Sequence, residues 1–276
     1  MSSPINYASA FGFHSVAGAI FFAVIYIPLF LWFVWQSFKN AAYVYIVMTL
    51  FCAMRVTAFI IRALLANSTT LGQNLGLLIA DEILFSVGFS FLLYPAYILG
   101  LDREITSGAE PVEFWLVKLI RNRRLFRWFL AIGTALGIAG INLATDSDPS
   151  NVAIGLDLRE AGSIVFLFLT VVQSVQTFIF LGEHIESGYS NDSRPFGDRH
   201  GNYILCAISM LLIVREIFNV ATIKDQSKQN NEHLWFPLLA LPEWLAVVCY
   251  AAPGLVPSRS ALKMAAETGV NSRVII

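Results

Sequence analysis

The sequence of 276 residues carries little charge. Only 13% of its residues are Asp, Glu, Lys or Arg, and its formal net charge is −1. An average soluble domain has about 25% charged residues. The near-zero net charge excludes the strongly basic surface typical of proteins that bind nucleic acids. Because 57% of the residues are hydrophobic, the composition favours a protein whose surface faces lipid.

Cysteine and the common catalytic motifs are also scarce. The three cysteines (Cys52, Cys206 and Cys249) all fall in apolar segments, so we expect packing residues rather than a disulfide framework. The chain has no HExxH, CxxC, GxSxG or phosphate-binding glycine loop. We therefore expect no metal ion and no cofactor. Carboxylate pairs capable of acid–base chemistry leave a membrane-embedded lipid-modifying enzyme as one alternative.

Long apolar runs are what the sequence has in abundance. A helix needs roughly 20 apolar residues to cross about 30 Å of hydrocarbon. Seven runs qualify, and none has the alternation of a strand. We predict an all-α membrane protein, a seven-transmembrane bundle, with spans at His14–Trp35, Tyr43–Leu65, Leu75–Leu99, Leu125–Leu143, Leu158–Leu181, Tyr203–Ala221 and Leu234–Leu255.

The distribution of Lys and Arg predicts the orientation. Twelve of the basic residues fall on the side of the membrane that holds the end of span 3, and two, Lys224 and Lys228, fall on the other. The positive-inside rule then puts the N-terminus outside and the C-terminus in the cytoplasm. We expect an extracellular segment at 1–13, the transmembrane domain at 14–256, and a cytoplasmic tail at 257–276. The expected location is the plasma membrane, with Asn67 of the sequon Asn67-Ser68-Thr69 as a glycosylation site on an outer loop.

Ionisable residues within the spans indicate where function lies. Each costs about 2.5–3.5 kcal/mol if left alone at the membrane centre, so we expect them to face one another or water. The topology places nearly all of them in the outer half of the bundle. They are Arg55, Arg62, Asp81, Glu82, Glu160, Arg215, Glu216 and Glu243.

Helical spacing groups these residues on faces. Arg55, Phe59 and Arg62 share one face of span 2, and Arg215 and Asn219 share one face of span 6. Span 5 carries a polar stripe that begins at Glu160. Pro242 loosens span 7 beside Glu243. We infer an outward-opening polar cavity, walled by spans 2, 3, 5, 6 and 7.

Two interpretations of these charges remain open. They line a binding site for a ligand or substrate, or they form interhelical ion pairs that fix the bundle. The pairs expected in the second case are Arg62 with Asp81 or Glu82, and Arg215 with Glu243.

Two further patterns concern the packing of the spans. Spans 1–3 and 5–7 echo each other weakly, which suggests a 3+1+3 parallel repeat. Gly133 and Gly137 of span 4 form a close-approach face, used for packing within the chain or for a homodimer.

A seven-helix receptor of the G-protein-coupled type is a competing class. Asp102-Arg103 at the inner end of span 3 is similar to the Asp/Glu-Arg-Tyr motif of such receptors. Glu104 replaces the aromatic residue, and no Asn-Pro-x-x-Tyr ends span 7.

Two spans resemble those of a known family. Arg55, Ala58, Phe59 and Arg62 occupy the slots of a Glu-x-x-Gly-Tyr-x-x-Arg motif, and Arg215, Phe218, Asn219 and Thr222 occupy those of Arg-x-x-Tyr-Arg-x-x-Glu. Glu243 and Pro253-Gly254 extend the likeness into span 7. These residues are similar to the fungal lipid-translocating exporters named for resistance to aminocholesterol, or to a related fungal seven-helix family.

The resemblance implies a function in membrane lipid handling. A fungal stress-resistance protein of this kind would perform lipid transport, moving or sensing sphingoid bases or sterol-like amphiphiles. Its partners would be membrane lipids and a lipid-like ligand, with no nucleic acid. Arg62 and Arg215 would bind an anionic headgroup, or would hold Glu82 and Glu243 ready for a cationic one.

Overall fold

The computed structural model describes residues 6–107, 122–146, 148–186 and 196–257, and within them it contains helices and no strands. Among these residues, seven helices are long and apolar enough to cross a membrane. They are α1 (Val16–Lys39), α2 (Tyr43–Asn67), α3 (Leu75–Ser107), α4 (Arg123–Ala144), α5 (Pro149–Glu186), α6 (Gly201–Thr222) and α7 (Glu232–Tyr250). Short helical turns lie at Tyr7–Ala10, Leu71–Gln73, Phe196–Arg199 and Gln226–Gln229.

Two helices extend well beyond the apolar runs that predict them. α3 continues to Ser107, and α5 begins at Pro149. Asp148 precedes α5, and its carboxylate accepts a hydrogen bond from the Ser150 amide, while Pro149 has the fixed φ that suits a first helical position. Asp157, Arg159 and Glu160, in the third and fourth turns of α5, lower its hydropathy without interrupting the helix.

Helices adjacent in sequence pack side by side, and α3 lies at the centre of the bundle. α3 contacts α2 and α4, and also α5 and α6. α7 packs on α6 and returns to α1, where Trp244 Nε1 lies 3.5 Å from the Ile25 carbonyl. The fold is therefore a closed bundle in which α3 contacts four other helices.

The two ends of the bundle are tied differently. The N-terminal end of the bundle is defined as the end that holds the start of α1 and the connections after α2, α4 and α6. There the Glu232 carboxylate accepts hydrogen bonds from the amides of His14 and Ser15 at 2.9 and 2.8 Å. We call the opposite end the C-terminal end. There the Gly197 amide donates to the Pro253 carbonyl at 2.9 Å.

The small-residue face of α4 packs within the chain. A Cβ at Gly133 would lie 3.1 Å from the Phe166 ring of α5, and one at Gly137 would lie 2.7 Å from Ser86 Oγ of α3. Both glycines are buried. Of the two uses expected for Gly133 and Gly137, the structure contains packing within one chain, and the homodimer stays a prediction.

α7 departs from α-helical geometry just before Glu243. Residues Phe236–Ala240 form a π-helical turn between Glu232–Trp235 and Leu241–Tyr250. Pro237 and Pro242 have no amide hydrogen, so each removes a backbone hydrogen bond from this stretch. The irregularity that Pro242 predicts in this span is present, and π-turns of this type are frequent at functional sites.

Candidate functional site

A four-residue ionic cluster lies at the junction of α2, α6 and α7. Arg55 donates to both carboxylate oxygens of Glu243, from Nε at 2.7 Å and from Nη2 at 2.8 Å. Arg215 Nε donates to Glu243 Oε1 at 3.0 Å, and Arg215 Nη1 donates to Glu216. None of the four side chains is more than 4% exposed. Two arginines and two carboxylates leave the cluster neutral, as burial in a low-dielectric interior requires.

Backbone carbonyls and aromatic rings complete the surroundings of Arg55. Its Nη1 and Nη2 donate to the carbonyls of Leu84 and Phe85 on α3, at 2.9 and 3.2 Å. The guanidinium also lies over the rings of Phe51 and Phe85, at 4.8 and 4.5 Å. Gly88 makes room for it, because a Cβ there would lie 2.6 Å from Arg55 Nη1. Each part of this cation therefore has a partner.

A second ion pair lies nearer the N-terminal end. Arg62, two turns along α2 from Arg55, donates from Nε and Nη2 to Asp81 Oδ2, at 3.1 and 3.0 Å. Its guanidinium lies 3.8 Å from the centroid of the Trp235 ring and 4.7 Å from that of Phe85. Among the described residues, Asp81 Oδ1 has no hydrogen-bond partner.

A third ion pair joins α3 to α5. Arg159 Nη2 donates to Glu82 Oε2 at 2.9 Å, with side chains 9% and 15% exposed. The neighbouring Glu160 faces away and pairs at 2.7 Å with Lys224, whose side chain is 60% exposed. The hydrogen bond to Glu160 and the charge of that carboxylate raise the pKa of the Lys224 ammonium. Solvent screening makes such an exposed pair contribute little to stability.

A small cavity lies between these pairs at the N-terminal end. The volume of this cavity is about 60 Å³. It has walls from α2 to α7, and Gln229 and Asn230 of the connection after α6 also line it. Its polar lining consists of Arg62, Glu82, Ser86, Arg159, Ser163, Arg215, Asn219, Gln229 and Asn230.

The cavity is lined by four of the ten residues that the sequence predicts there. Arg62, Glu82, Arg215 and Asn219 line it. Asp81, Glu216 and Glu243 lie behind the arginines that they neutralise. Arg55 is in the cluster with Glu243. Phe59 packs on four other aromatic rings: Phe22, Tyr26, Phe85 and Trp235. Glu160 lies outside, against Lys224.

Sequence reasoning missed Arg159, Gln229 and the contribution of α4. Arg159 lies four residues before Ser163, which belongs to the predicted polar stripe of α5, so helical spacing offers a signal for it. Gln229 lies in a connection and has no periodicity to reveal it. α4 contributes Gly137 and Ile141 to the wall, where glycine permits close approach rather than polar contact.

The ion pairs expected as bundle-fixing contacts are present. Arg62 pairs with Asp81, and Arg215 pairs with Glu243. The structure adds Arg55 as a second partner of Glu243 and Arg159 as the partner of Glu82. Across the site, four arginines and four carboxylates balance, so the resting state of the bundle is internally neutral.

Polar contacts continue between α5 and α6 toward the C-terminal end. Gln173 donates to Ser209 Oγ at 3.1 Å and to Thr177 Oγ1 at 3.0 Å. Between this network and the cavity, the rings of Phe89 and Phe166 meet edge to face at 5.4 Å. Polar side chains thus lie on both sides of an aromatic pair.

Arg103 ties the C-terminal end of the bundle together. Its Nη2 donates to the carbonyls of Gly197 and Leu255, at 2.8 and 3.0 Å. Asp102 pairs separately with Arg123 at 3.0 Å, where the Arg123 side chain is 41% exposed. Within the described residues, no group of three His, Cys, Asp or Glu side chains is placed to hold a metal ion.

The fold and the site define an all-helical integral membrane protein with a charged interior cavity. Comparison with family models, curated proteins and solved structures finds no match to this chain.

Proposed function

We propose that this protein is a translocator or exporter of lipid-like amphiphiles that binds a charged headgroup in the N-terminal cavity. The observation that carries the proposal is the lining of this cavity, in which four ionisable side chains (Arg62, Glu82, Arg159 and Arg215) meet inside an apolar bundle. Ionisable residues at such positions are costly and mark ligand or ion pathways by default.

The size of the cavity limits what part of an amphiphile enters it. A space of about 60 Å³ holds about four to six water molecules, at 10–15 Å³ each. One compact headgroup fits this space and an acyl chain does not. The outer surface of the bundle carries exposed Ile, Leu and Phe side chains, such as Phe21 and Leu31. The apolar tail therefore remains among lipids.

The proposed orientation puts this cavity on the extracellular side of the plasma membrane, as the positive-inside rule requires. The N-terminus, Asn67 and the 68–74 connection lie on the same side. A substrate headgroup would then enter or leave through the Gln229 and Asn230 end. The 3+1+3 repeat is part of the same proposal, with α4 as the linker between α1–α3 and α5–α7.

Transport by purified protein in lipid vesicles tests the proposal. The full chain is reconstituted, and transfer of a fluorescent long-chain base, a sterol-like amphiphile and a phosphate-headed lipid between leaflets is measured against protein-free vesicles. We expect protein-dependent transfer of one of these, lost in Arg215→Gln and kept in Arg123→Gln. Transfer no faster than in protein-free vesicles would reject translocation. Transfer unchanged in a well-folded Arg215→Gln protein would reject this cavity as the route.

A receptor is the second candidate, favoured by the contacts of Arg103. This residue joins α3 to Gly197 before α6 and to Leu255 after α7, so a movement of these helices would change the surface of the C-terminal end. Co-purification of a G protein, dependent on Arg103, would support a receptor. Vesicle transport without any such partner would exclude it as the main function.

A further inference from the structure

The lining of the N-terminal cavity has an excess of positive charge. Three arginines line it (Arg62, Arg159 and Arg215), against one carboxylate among the described residues, Glu82. The other carboxylates of the site lie behind the arginines and are 0% exposed: Asp81, Glu216 and Glu243. An entering group therefore meets guanidinium groups first. We infer that the cavity takes an anionic headgroup, of the phosphate or carboxylate class, an inference that rests on the proposed function and narrows its substrate.

Arg159 keeps most of its hydrogen-bonding capacity. A guanidinium has five N–H donors, and the hydrogen bond of Arg159 to the described residues uses Nη2 alone, to Glu82. Its Nε and Nη1 have no partner there. Nε shares its edge of the guanidinium with Nη2, as in the two-point pairs of Arg55 and Arg62, so Nε and Nη1 donate from different edges. Each can give one charge-assisted hydrogen bond to an anion while Nη2 stays on Glu82. Arg159 is thus equipped to hold an anion without first leaving Glu82.

Arg62 offers a further donor from the opposite wall. Its Nε and Nη2 both donate to Asp81 Oδ2, which leaves Nη1 without a hydrogen bond to the described residues. Stacking on Trp235, at 3.8 Å from the ring centroid, fixes the plane of this guanidinium. An anion between α2 and α5 would therefore meet N–H donors of Arg62 on one helix and of Arg159 on the other.

Neutral donors follow the arginines around the wall. Asn219 Nδ2 donates to Ser163 Oγ at 3.1 Å, and Gln229 Nε2 lies 3.4 Å from Asn219 Oδ1. Each of these amide and hydroxyl groups has another hydrogen to give. A phosphate has several oxygen acceptors, so this series of donor side chains suits a phosphate. The same side chains offer fewer acceptors to an ammonium group.

The buried carboxylates of the site are each paired with an arginine. Both oxygens of Glu243 accept hydrogen bonds from Arg55, and one also accepts from Arg215. Releasing Glu243 would leave the buried Arg55 without its counter-ion and Arg215 with Glu216 alone, which is strongly unfavourable. Glu82 is the carboxylate within reach, and its Oε2 already accepts a hydrogen bond from Arg159. Of the two headgroup charges that the sequence left open, the structure favours the negative one.

Binding to the full-length protein in neutral detergent micelles tests the sign of the ligand. The probes are dodecyl phosphate, dodecylammonium of equal chain length, and inorganic phosphate. The readouts are the melting temperature and titration calorimetry. We expect dodecyl phosphate to raise the melting temperature of the wild-type protein and dodecylammonium to leave it unchanged. The same shift with inorganic phosphate alone would identify the source as a free anion, and a shift only with dodecyl phosphate would identify it as a lipid headgroup.

Two substitutions in one ion pair separate binding from folding. Arg159→Gln and Glu82→Gln both break the same pair, so a purely structural role moves affinity in the same direction in both proteins. An anion site predicts opposite signs. We expect Arg159→Gln to weaken dodecyl phosphate binding about tenfold or more, as for a lost charge-assisted hydrogen bond, and Glu82→Gln to strengthen it, because a competing carboxylate is removed. Arg123→Gln, at the other end of the bundle, should match the wild type.

The outcomes distinguish the inference from the proposed function. Preference for dodecylammonium in the wild-type protein, or weaker dodecyl phosphate binding in Glu82→Gln, would overturn the anionic assignment while leaving amphiphile transport intact. Anion binding with the expected variant signs, but with no transfer in vesicles, would support the site and reject translocation. Because the wild-type comparison needs no variant, poor folding of either substituted protein leaves the test in place.

Discussion

Arg55 of α2 donates two hydrogen bonds to the carboxylate of Glu243 of α7, at 2.7 and 2.8 Å, although 188 residues separate them in the sequence. Both side chains are completely buried. The same carboxylate accepts from Arg215 of α6 at 3.0 Å. Glu243 therefore links three helices, and it does so directly after the π-helical turn of α7.

Removal of Glu243 should destabilise the bundle strongly. Glu243→Met leaves Arg55 and Arg215 buried without their shared counter-ion, and breaking a buried pair in this way costs about 3–5 kcal/mol. The expected result is a large fall in the melting temperature in detergent. Asp102→Asn, which breaks the partly exposed pair with Arg123, should cost about 1 kcal/mol or less.

A double substitution tests the electrostatic cause. In Arg55→Met with Glu243→Met, one positive and one negative charge leave together, and the Arg215–Glu216 pair remains. Replacement of a whole buried pair by apolar residues is often close to neutral. We expect the double variant to melt above Glu243→Met alone. A double variant less stable than either single variant would show that shape, rather than charge, decides this position.

The contact of α4 with α5 predicts that alanine substitutions at two glycines of α5 differ sharply in their effect on stability. A Cβ at Gly155 would lie 2.3 Å from the backbone nitrogen of Ala144, whereas a Cβ at Gly182 would meet nothing within 4 Å. Gly155→Ala should destabilise by about 1–3 kcal/mol, as overpacking does. Gly182→Ala should be neutral or slightly stabilising, since alanine favours helix. Equal melting temperatures for the two proteins would contradict the close helix contact.

Single-cysteine labelling tests the orientation. With Cys52, Cys206 and Cys249 replaced by serine, Thr70→Cys lies in the exposed connection after α2, and Phe196→Cys lies at the C-terminal end, where Phe196 is 64% exposed. A membrane-impermeant maleimide should label Thr70→Cys on intact cells and Phe196→Cys only after permeabilisation. The reverse pattern would invert the orientation, and the cavity would then face the cytoplasm.

Arg103 should hold the C-terminal end closed. Arg103→Met removes its hydrogen bonds to Gly197 and Leu255, and hydrogen bonds from a charged donor contribute about 1.5–3 kcal/mol each. We expect amide hydrogen exchange at 196–199 and 253–257 to accelerate by roughly tenfold or more. Arg123→Met, whose side chain is partly exposed, provides the matched control. Exchange that rises equally in both proteins would deny Arg103 a specific role.

The sequence predicted the helices and two of the ion pairs because each rests on local pattern and charge. Long apolar runs define the seven helices, and the pairs Arg62–Asp81 and Arg215–Glu243 join helices adjacent in sequence. Such neighbours pack together in most helical bundles. To predict these two pairs, it was enough to know how deep each residue lies in the membrane along its helix.

The rest of the site depends on the direction in which each side chain leaves its helix, and on the return of α7 to the side of α1 and α2. Adjacent helical residues differ in direction by about 100°, and this rotation directs Arg159 into the cavity and Glu160 toward Lys224. The Arg55–Glu243 pair requires α7 to return beside α1 and α2, a long-range contact that hydropathy does not encode. Interior packing decides both features.

The most direct test is an experimental structure of the full chain in lipid nanodiscs with dodecyl phosphate. We expect density for the phosphate between Arg159 and Arg62, with the alkyl chain outside the cavity. Ordered water alone in the cavity, with all the ion pairs unchanged at saturating dodecyl phosphate, would contradict this expectation and leave the charges as a scaffold for the bundle.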